Sequence, residues 1–204
     1  MEKKLLILIL LSLLCTLHGN AKVYPGAPFN DGMVLQRESK VHLWGKANAG
    51  STVTLVTSWN HMTFSTTADK EGKWHIVIPT PKASFTPYSI TLNDATEPVI
   101  IRNVLIGDVW FASGQSNMDM PLSGWETCPL LNSAQAIAST ANYNGKLHYA
   151  YIPQLASREP QDSVSAQWRN STPENMKHCS AASRRAADNL AVIWSFKVTP
   201  SLTS

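Results

Sequence analysis

Cysteine is scarce in this sequence, and so are charged side chains. The chain of 204 residues contains 3 cysteines, and charged residues make up 15% of it. Beyond residues 1–21 only Cys128 and Cys179 remain, and their spacing matches no metal-binding motif and no dense disulfide framework. The sequence therefore predicts no metal site. In an exported protein the two cysteines could form a disulfide, or both could remain thiols.

The net charge and the apolar runs exclude two further classes of protein. The formal net charge is +3, and the basic residues are scattered along the chain. Such a mild, dispersed charge does not favour nucleic acid as a partner. The most continuous apolar run, residues 5–14, is too short for a stable membrane span.

The N-terminus has the pattern of a secretory signal peptide. Lys3 and Lys4 precede the apolar run, and Gly19 and Ala21 supply small residues at the positions that a signal peptidase inspects. We expect residues 1–21 to be removed by cleavage after Ala21, which places the mature protein in the periplasm or outside the cell. Removal of one acidic and two basic residues lowers the formal charge to +2.

Residues 22–103 read as an all-β domain. Short alternating or β-branched runs are separated by turn signals such as Asn48–Gly50 and Asp69–Gly72. Many short strands at this spacing favour a β-sandwich. The predicted strands are residues 41–44, 52–56, 62–65, 74–78, 88–92 and 99–101.

Residues 104–118 carry the candidate chemistry. The apolar run 104–111 predicts a strand covered on both faces, as in a parallel sheet. It ends in small and polar residues that would deliver Ser116 to the carboxyl edge of the sheet, where open α/β sheets bind ligands. Gly114 permits a tight turn. Ser116 is either a nucleophile or, together with Asn117, the cap of a following helix.

These residues resemble the first conserved block of the sialate O-acetylesterase family, carbohydrate esterases of the SGNH-hydrolase superfamily. The matching pieces are residues 107–110 and 113–118. The resemblance implies that Ser116 is the catalytic serine and that its backbone N–H is one oxyanion donor. It implies that Gly114, Gln115 and Asn117 shape the turn. The implied substrate is an O-acetylated sugar or glycan, with sialic acid as the expected sugar, and no metal or organic cofactor is implied.

Other segments extend the resemblance. Residues 29–37, 41–45 and 69–74 are similar to the family's N-terminal β-domain, and residues 165–169 and 172–175 to the linker before a later helix. The implied fold is a β-sandwich followed, over residues 104–182, by the N-terminal part of an incomplete α/β SGNH-type domain. Beyond Met118 we predict a helix within residues 129–141 and a strand at residues 147–152.

After Ala182 the resemblance stops, and residues 183–204 read as a divergent tail. A frameshift or a truncated gene would produce this pattern, and a natural short variant with its own C-terminal strand is the alternative. The family's general base comes from an Asp-x-x-His, which occurs nowhere in this sequence. The histidines that follow Ser116 are His148 and His178, and neither stands in such a motif.

Two functions therefore remain at this point. The first is an O-acetylesterase whose serine is present and whose base is missing, so that the chain as written would not turn over substrate. The second is a secreted carbohydrate-binding β-sandwich with a non-catalytic esterase remnant, binding sugar through Trp44, Trp59 or Trp74. The alternative role of these tryptophans is to fill the core of the small sandwich.

The signal peptide gives the first testable prediction. N-terminal sequencing of the exported protein should begin at or near Lys22, because Ala21 ends the small-residue recognition site. Mature periplasmic or extracellular protein that still begins at Met1 would contradict it.

Overall fold

The structure is a computed structural model of the chain. It describes residues 22–114, 116–153, 158, 161, 164–182 and 192–197, and for Ser116, Asn117 and residues 192–197 it describes the backbone alone. The predicted signal peptide at residues 1–21 lies outside the described residues, and so does Gln115.

Within this part of the chain the strands form three sheets. The three-stranded sheet has the order β1-β3-β6, the five-stranded sheet β2-β8-β7-β4-β5, and the third sheet β11-β10-β12-β9. The strands are β1 (Tyr24–Pro25), β2 (Val34–Gln36), β3 (Lys40–Lys46), β4 (Thr52–Thr57), β5 (Thr63–Thr67), β6 (Lys73–Pro79), β7 (Ser84–Asn93), β8 (Val99–Gly107), β9 (Phe111–Gly114), β10 (His148–Ile152), β11 (Gln167–Asn170) and β12 (Val192–Lys197).

The first two sheets share one hydrophobic core. Strands β4 and β6 alternate between buried and more exposed side chains, as expected for strands with one face on a core. Leu43 and Ile78 of the three-stranded sheet belong to the same buried cluster as Leu55 and Leu92 of the five-stranded sheet. Each of the six strands predicted between residues 41 and 101 overlaps an observed strand.

The run at residues 104–111 does not form the predicted strand. Its buried residues Val104, Leu105 and Ile106 end β8, which pairs with β7 and β2 in the five-stranded sheet. The run is apolar because both faces of β8 are covered there, rather than because it lies in a parallel sheet flanked by helices. The boundary predicted between residues 103 and 104 falls inside β8.

The strand that leads to the candidate serine is β9, and it is short. Trp110, just before β9, is 49% exposed, and Phe111, its first residue, is 63% exposed. Residues 108–110 form the connection between β8 in the five-stranded sheet and β9 in the third sheet. The chain passes from the five-stranded sheet to the third sheet through this connection.

The third sheet includes part of the predicted divergent tail. Strand β12 lies between β9 and β10 and pairs in parallel with both, so residues 192–197 occupy a central position. A C-terminal strand in the tail is what the alternative of a natural short variant predicts, and β12 lies there. Strand β11 pairs antiparallel with β10 and forms the edge.

The described helices are short. They are α1 (Ser116–Asp119), α2 (Ser133–Ser139), a 3₁₀ turn (Thr140–Tyr143) and α3 (Pro173–Met176). Helix α2 confirms the helix predicted within residues 129–141, and the Thr172 side chain caps α3 by accepting the Asn175 N–H. Among the described residues, no helix is both long and apolar enough to cross a membrane.

The loop at residues 28–33 joins the first two sheets to the third. The Trp168 indole Nε1–H donates to the Pro28 carbonyl at 2.9 Å, and the Asn30 side-chain amide donates to the Ala166 carbonyl at 2.8 Å. His148 Nδ1 lies 2.6 Å from the Gly32 carbonyl oxygen. Trp168 and Ala150 are members of the same buried cluster as the core of the first two sheets.

The buried His148 gives the second prediction. Burial lowers the pKa of His148 below its ordinary value of 6.5. Below about pH 6.5, His148 is therefore protonated in the unfolded chain more readily than in the folded chain. The stability of the folded chain should therefore be complete above this pH and decrease as the pH falls through 6. Urea midpoints measured from pH 5 to 8 should show this loss, and His148→Gln should reduce it.

The control is His61→Asn, a change at an exposed turn where φ is 56°, which Asn tolerates. This variant should keep the wild-type pH dependence. If His148→Gln retains the full pH dependence as well, the loss has another origin.

Candidate functional site

The candidate nucleophile lies where a parallel strand turns into a helix. Strand β9 ends at Gly114, and helix α1 begins at Ser116. Because β9, β12 and β10 are parallel, their carboxyl ends lie at one edge, with Lys197 opposite Gly114 and Phe196 opposite Ile152. The structure thus places the backbone of Ser116 at the edge predicted from the sequence, although the strand before it is β9 alone.

Gly114 is needed because the helix folds back over it. A Cβ atom at this position would lie 2.6 Å from Met118 Cγ and 3.4 Å from Met118 Cβ. Such contacts force either the methionine or the turn to move. The expectation that Gly114 permits a tight strand-to-helix turn therefore has a physical basis in the close approach of Met118.

The segment after α1 is held by the segment after α3. The Leu122 N–H donates to the Cys179 carbonyl at 2.8 Å, and the Ala181 N–H donates to the Met120 carbonyl at 2.9 Å. Residues 120–123 and 177–181 consequently run side by side. This pairing brings His178, which is 59 residues further along the chain, close to the end of α1.

A cavity of about 500 Å³ opens beside α1. One wall comes from β10 and β11, where alternate residues Tyr149, Tyr151, Gln167 and Arg169 point to the same side. Asp119, the last residue of α1, and His178 complete it. The full lining is Asp119, Tyr149, Tyr151, Pro153, Ser165, Gln167, Arg169 and His178.

Tyr149 is a buried hydrogen-bond donor in this wall. It is 2% exposed, and its hydroxyl donates to the Asn175 carbonyl at 2.7 Å. Burial is the main reason why the pKa of Tyr149 is raised to about 12, and the nearby Arg169 opposes this shift. A phenol with this pKa stays protonated at neutral pH, so Tyr149 is not a general base there.

The two histidines that follow Ser116 lie in different environments. His148 is 1% exposed, and because its Nδ1 faces a carbonyl oxygen, Nδ1 carries the proton that it donates to Gly32. It lies on the same face of β10 as Ala150, opposite to Tyr149, so its side chain points away from the cavity. His178 is at the cavity, together with the Asp119 carboxylate.

The two family-like segments of the sequence meet in the fold. The Arg37 guanidinium donates to the Asp108 carboxylate at 2.8 Å, and the Val109 N–H donates to the Gln36 side-chain oxygen at 2.9 Å. The end of β2 therefore fixes the connection that leads into β9. Asp108 is a structural anchor at this position, 8 residues before Ser116.

Sequence reasoning missed the cavity. Asp119, Tyr149, Tyr151 and Arg169 were not candidate residues, because their proximity depends on the pairing of β10 with β11 and of residues 120–123 with 177–181. The alternation of Tyr149 with Tyr151, and of Gln167 with Arg169, was the available local signal. It shows which side chains share a face but not what they face.

The described part of the chain contains neither a cluster of metal-ligating side chains nor a disulfide. No cluster of three or more histidine, cysteine, aspartate or glutamate side chains lies together there. Cys128 is exposed and Cys179 is buried, and they are not joined by a disulfide. Of the two alternatives for the cysteines, the structure shows the thiols.

A larger cavity of about 1040 Å³ lies over the three-stranded sheet. Tyr24 and Trp44, which are 60% and 37% exposed, line it together with Asp69, Lys73 and His75. Of the other two tryptophans considered above, Trp74 is 2% exposed and in the core, and Trp59 packs against the core with its ring 5.8 Å from that of Tyr88. Trp44 is therefore the tryptophan whose position fits a surface role.

Known proteins resemble the chain in sequence. No protein-family model matches it. The sialate O-acetylesterases of Pongo abelii and Homo sapiens are each 29% identical to it over 159 residues, which are 73% of this chain and 29% of those proteins. The sialate O-acetylesterase of Mus musculus is 30% identical over 158 residues, 72% of this chain and 28% of that protein.

The fold has a counterpart among solved structures. The crystal structure of a carbohydrate acetylesterase from Xanthomonas citri matches with a TM-score of 0.72 and 25% identity, over 84% of this chain and 39% of that chain. The resemblance to sialate O-acetylesterases identified from the motifs is thus confirmed. The chain spans less than a third of the curated relatives that it matches, 28% to 29% of their length.

The crowding at Gly114 gives the third prediction. Gly114→Ala should lower stability by about 1–3 kcal/mol, the usual range for added volume in a packed site, because the new Cβ would lie 2.6 Å from Met118 Cγ. Truncating the neighbour as well, in Gly114→Ala/Met118→Ala, should recover part of the loss relative to the sum of the single changes. Urea unfolding of the four proteins measures this coupling, and strictly additive effects would contradict it.

Proposed function

We propose that this chain carries the serine-bearing portion of a carbohydrate esterase that removes O-acetyl groups from sugars, with sialic acid as the expected sugar. The observation that carries the proposal is the position of Ser116, at the first residue of a helix that directly follows a parallel strand. The similarity to sialate O-acetylesterases and to a carbohydrate acetylesterase supports the reaction class.

The proposed chemistry is a two-step acyl transfer. Ser116 Oγ attacks the acetyl carbonyl carbon, a base takes the hydroxyl proton, and the negative charge that develops on the carbonyl oxygen is stabilised by backbone N–H groups that include that of Ser116. The tetrahedral intermediate collapses to acetyl-serine, and the sugar hydroxyl leaves with a proton. Water then hydrolyses the acetyl-serine to acetate and restores the serine.

We propose that this chain lacks the family's general base. His178 lines the cavity, but it does not stand in the family's motif. No Asp-x-x-His occurs in the sequence. His148 is committed to the Gly32 carbonyl and faces away from the cavity. Without a base the serine hydroxyl stays protonated, and loss of triad function typically costs about 10⁴–10⁶ in kcat. We therefore propose that the chain as written does not turn over acetyl esters.

The proposed architecture follows the resemblance. Residues 22–107 are the β-sandwich module, and the region from Phe111 onward is part of an SGNH-type α/β domain. We place the boundary in the connection 108–110, because β8 pairs only within the five-stranded sheet in the described part of the chain. Export to the periplasm or the extracellular space, after removal of residues 1–21, is part of the same proposal.

The second candidate function is sugar binding without catalysis. It is favoured by the cavity over the three-stranded sheet, where the exposed faces of Tyr24 and Trp44 lie beside the polar side chains of Asp69 and Lys73. Aromatic faces with nearby hydrogen-bonding groups suit sugar rings. Sugar affinity that is lost in Trp44→Ala, without any turnover in a completed enzyme, would favour this candidate over the esterase.

The fourth prediction tests the esterase directly. Residues 22–182 are fused to the C-terminal part of the Xanthomonas citri carbohydrate acetylesterase, which should supply the missing base. The chimera should release acetate from p-nitrophenyl acetate and from an O-acetylated sugar. Ser116→Ala in the chimera should reduce kcat by about 10⁴-fold or more.

The matched control is Ser113→Ala, a serine 3 residues earlier on β9, which should keep the activity of the chimera. The chain as given should hydrolyse p-nitrophenyl acetate no faster than its own Ser116→Ala variant. A chimera whose activity survives Ser116→Ala would mean that the nucleophile is misassigned.

A further inference from the structure

Arg169 is a cation in the wall of the cavity beside α1. It lies on β11 directly opposite Tyr149, and its guanidinium contacts the Tyr149 hydroxyl. The ion pairs of the described residues are Lys22–Glu97, Arg37–Glu38, Arg37–Asp108 and Lys177–Glu174. Among the described residues, Arg169 belongs to none of these pairs.

The surroundings of Arg169 are those of a polar ligand site. Hydrogen-bonding side chains from three separate segments line the same cavity of about 500 Å³: Tyr151, Ser165, Gln167 and His178. This volume lies within the range of small-molecule cavities in proteins, about 300–1,000 Å³. The cavity is therefore large enough for a sugar ring and offers donors on more than one side.

The cavity adjoins the last residue of the helix that carries the candidate nucleophile. Asp119 ends the helix that Ser116 begins, and 3 residues of α-helix correspond to about 4.5 Å of rise. The backbone of Ser116 therefore lies about one helical turn from Asp119, which lines the cavity. The Asp119 carboxylate also lines the cavity, so an anionic group would have to bind at the Arg169 end rather than beside α1.

We propose that Arg169 is a specificity residue that binds the carboxylate of an acidic sugar and presents its O-acetyl group toward Ser116. This proposal rests on the proposed esterase function. A guanidinium offers two parallel N–H donors that match the two oxygens of a carboxylate. A neutral acetylated sugar would offer the guanidinium no carboxylate, so the site favours sugars that carry a negative charge.

Binding to the chain itself tests the proposal, because no turnover is required. The probes are the methyl α-glycoside of N-acetylneuraminic acid and the same compound with its carboxylate converted to the amide. Ligand-observed NMR titration should show that the wild-type chain binds the carboxylate form at least about tenfold more tightly, as expected for a charge-assisted hydrogen-bonded pair. Arg169→Gln should abolish this preference. Arg169→Lys should retain part of it, because lysine keeps the positive charge but lacks the two parallel N–H donors.

The control variant is Arg102→Gln, since Arg102 is exposed on β8 and lies outside the cavity. It should bind both probes as the wild type does. Equal affinity of the wild type for the two probes, no binding of either, or a preference that survives Arg169→Gln would each overturn the proposal.

The chimera separates this proposal from the esterase function. If it releases acetate in a Ser116-dependent way, but equally fast from neutral and from acidic O-acetylated sugars, the role of Arg169 fails and the esterase function stands. In the opposite case the chimera has no Ser116-dependent activity, while the chain still prefers the carboxylate probe through Arg169. That result would refute the esterase function and leave the binding site in place.

Discussion

The position of the third sheet depends on its contact with the loop at residues 28–33. A buried carbonyl without a donor costs about 1–3 kcal/mol, and the Gly32 and Pro28 carbonyls receive donors from His148 and Trp168. His148 is suited to this role because burial keeps it neutral, with one N–H to give. The same residues extend the core, since Trp168 and Ala150 pack with the first two sheets. This contact fixes β10 and β11 and, with them, the wall of the candidate site.

A second contact sets the direction of β9. Strand β8 is held in the five-stranded sheet up to Gly107, and the chain must leave that sheet before it can enter the third one. The Arg37–Asp108 pair and the Gln36–Val109 hydrogen bond hold the chain at this exit. Because the Arg37–Asp108 pair is partly exposed, it adds little electrostatic free energy to stability. Its effect is to fix the position of the chain at this exit. Two segments that look unrelated in the sequence, residues 29–37 and 107–118, are thus one structural unit.

The local parts of the fold could be predicted from the sequence, and the non-local parts could not. Alternation in residues 52–57 or 73–79 reports one buried face directly, so those strands were identified. A continuous apolar run indicates that both faces of a strand are buried but does not indicate which elements cover them. Residues 104–111 were therefore assigned to a parallel sheet flanked by helices, whereas residues 104–107 belong to the five-stranded sheet. Strand β12 shows the same limit, because its partners β9 and β10 are more than 40 residues away in the sequence.

The candidate site also has a local part, which could be predicted from the sequence, and a non-local part, which could not. The turn at Gly114 and the start of α1 at Ser116 are encoded within a few residues, so the nucleophile could be identified from its motif. Arg169, Tyr151 and His178 reach the same cavity only through strand pairing and the contact between residues 120–123 and 177–181. The strand-to-helix turn at Ser116 therefore depends on local contacts, whereas the wall of the cavity depends on contacts between segments that are distant in the sequence.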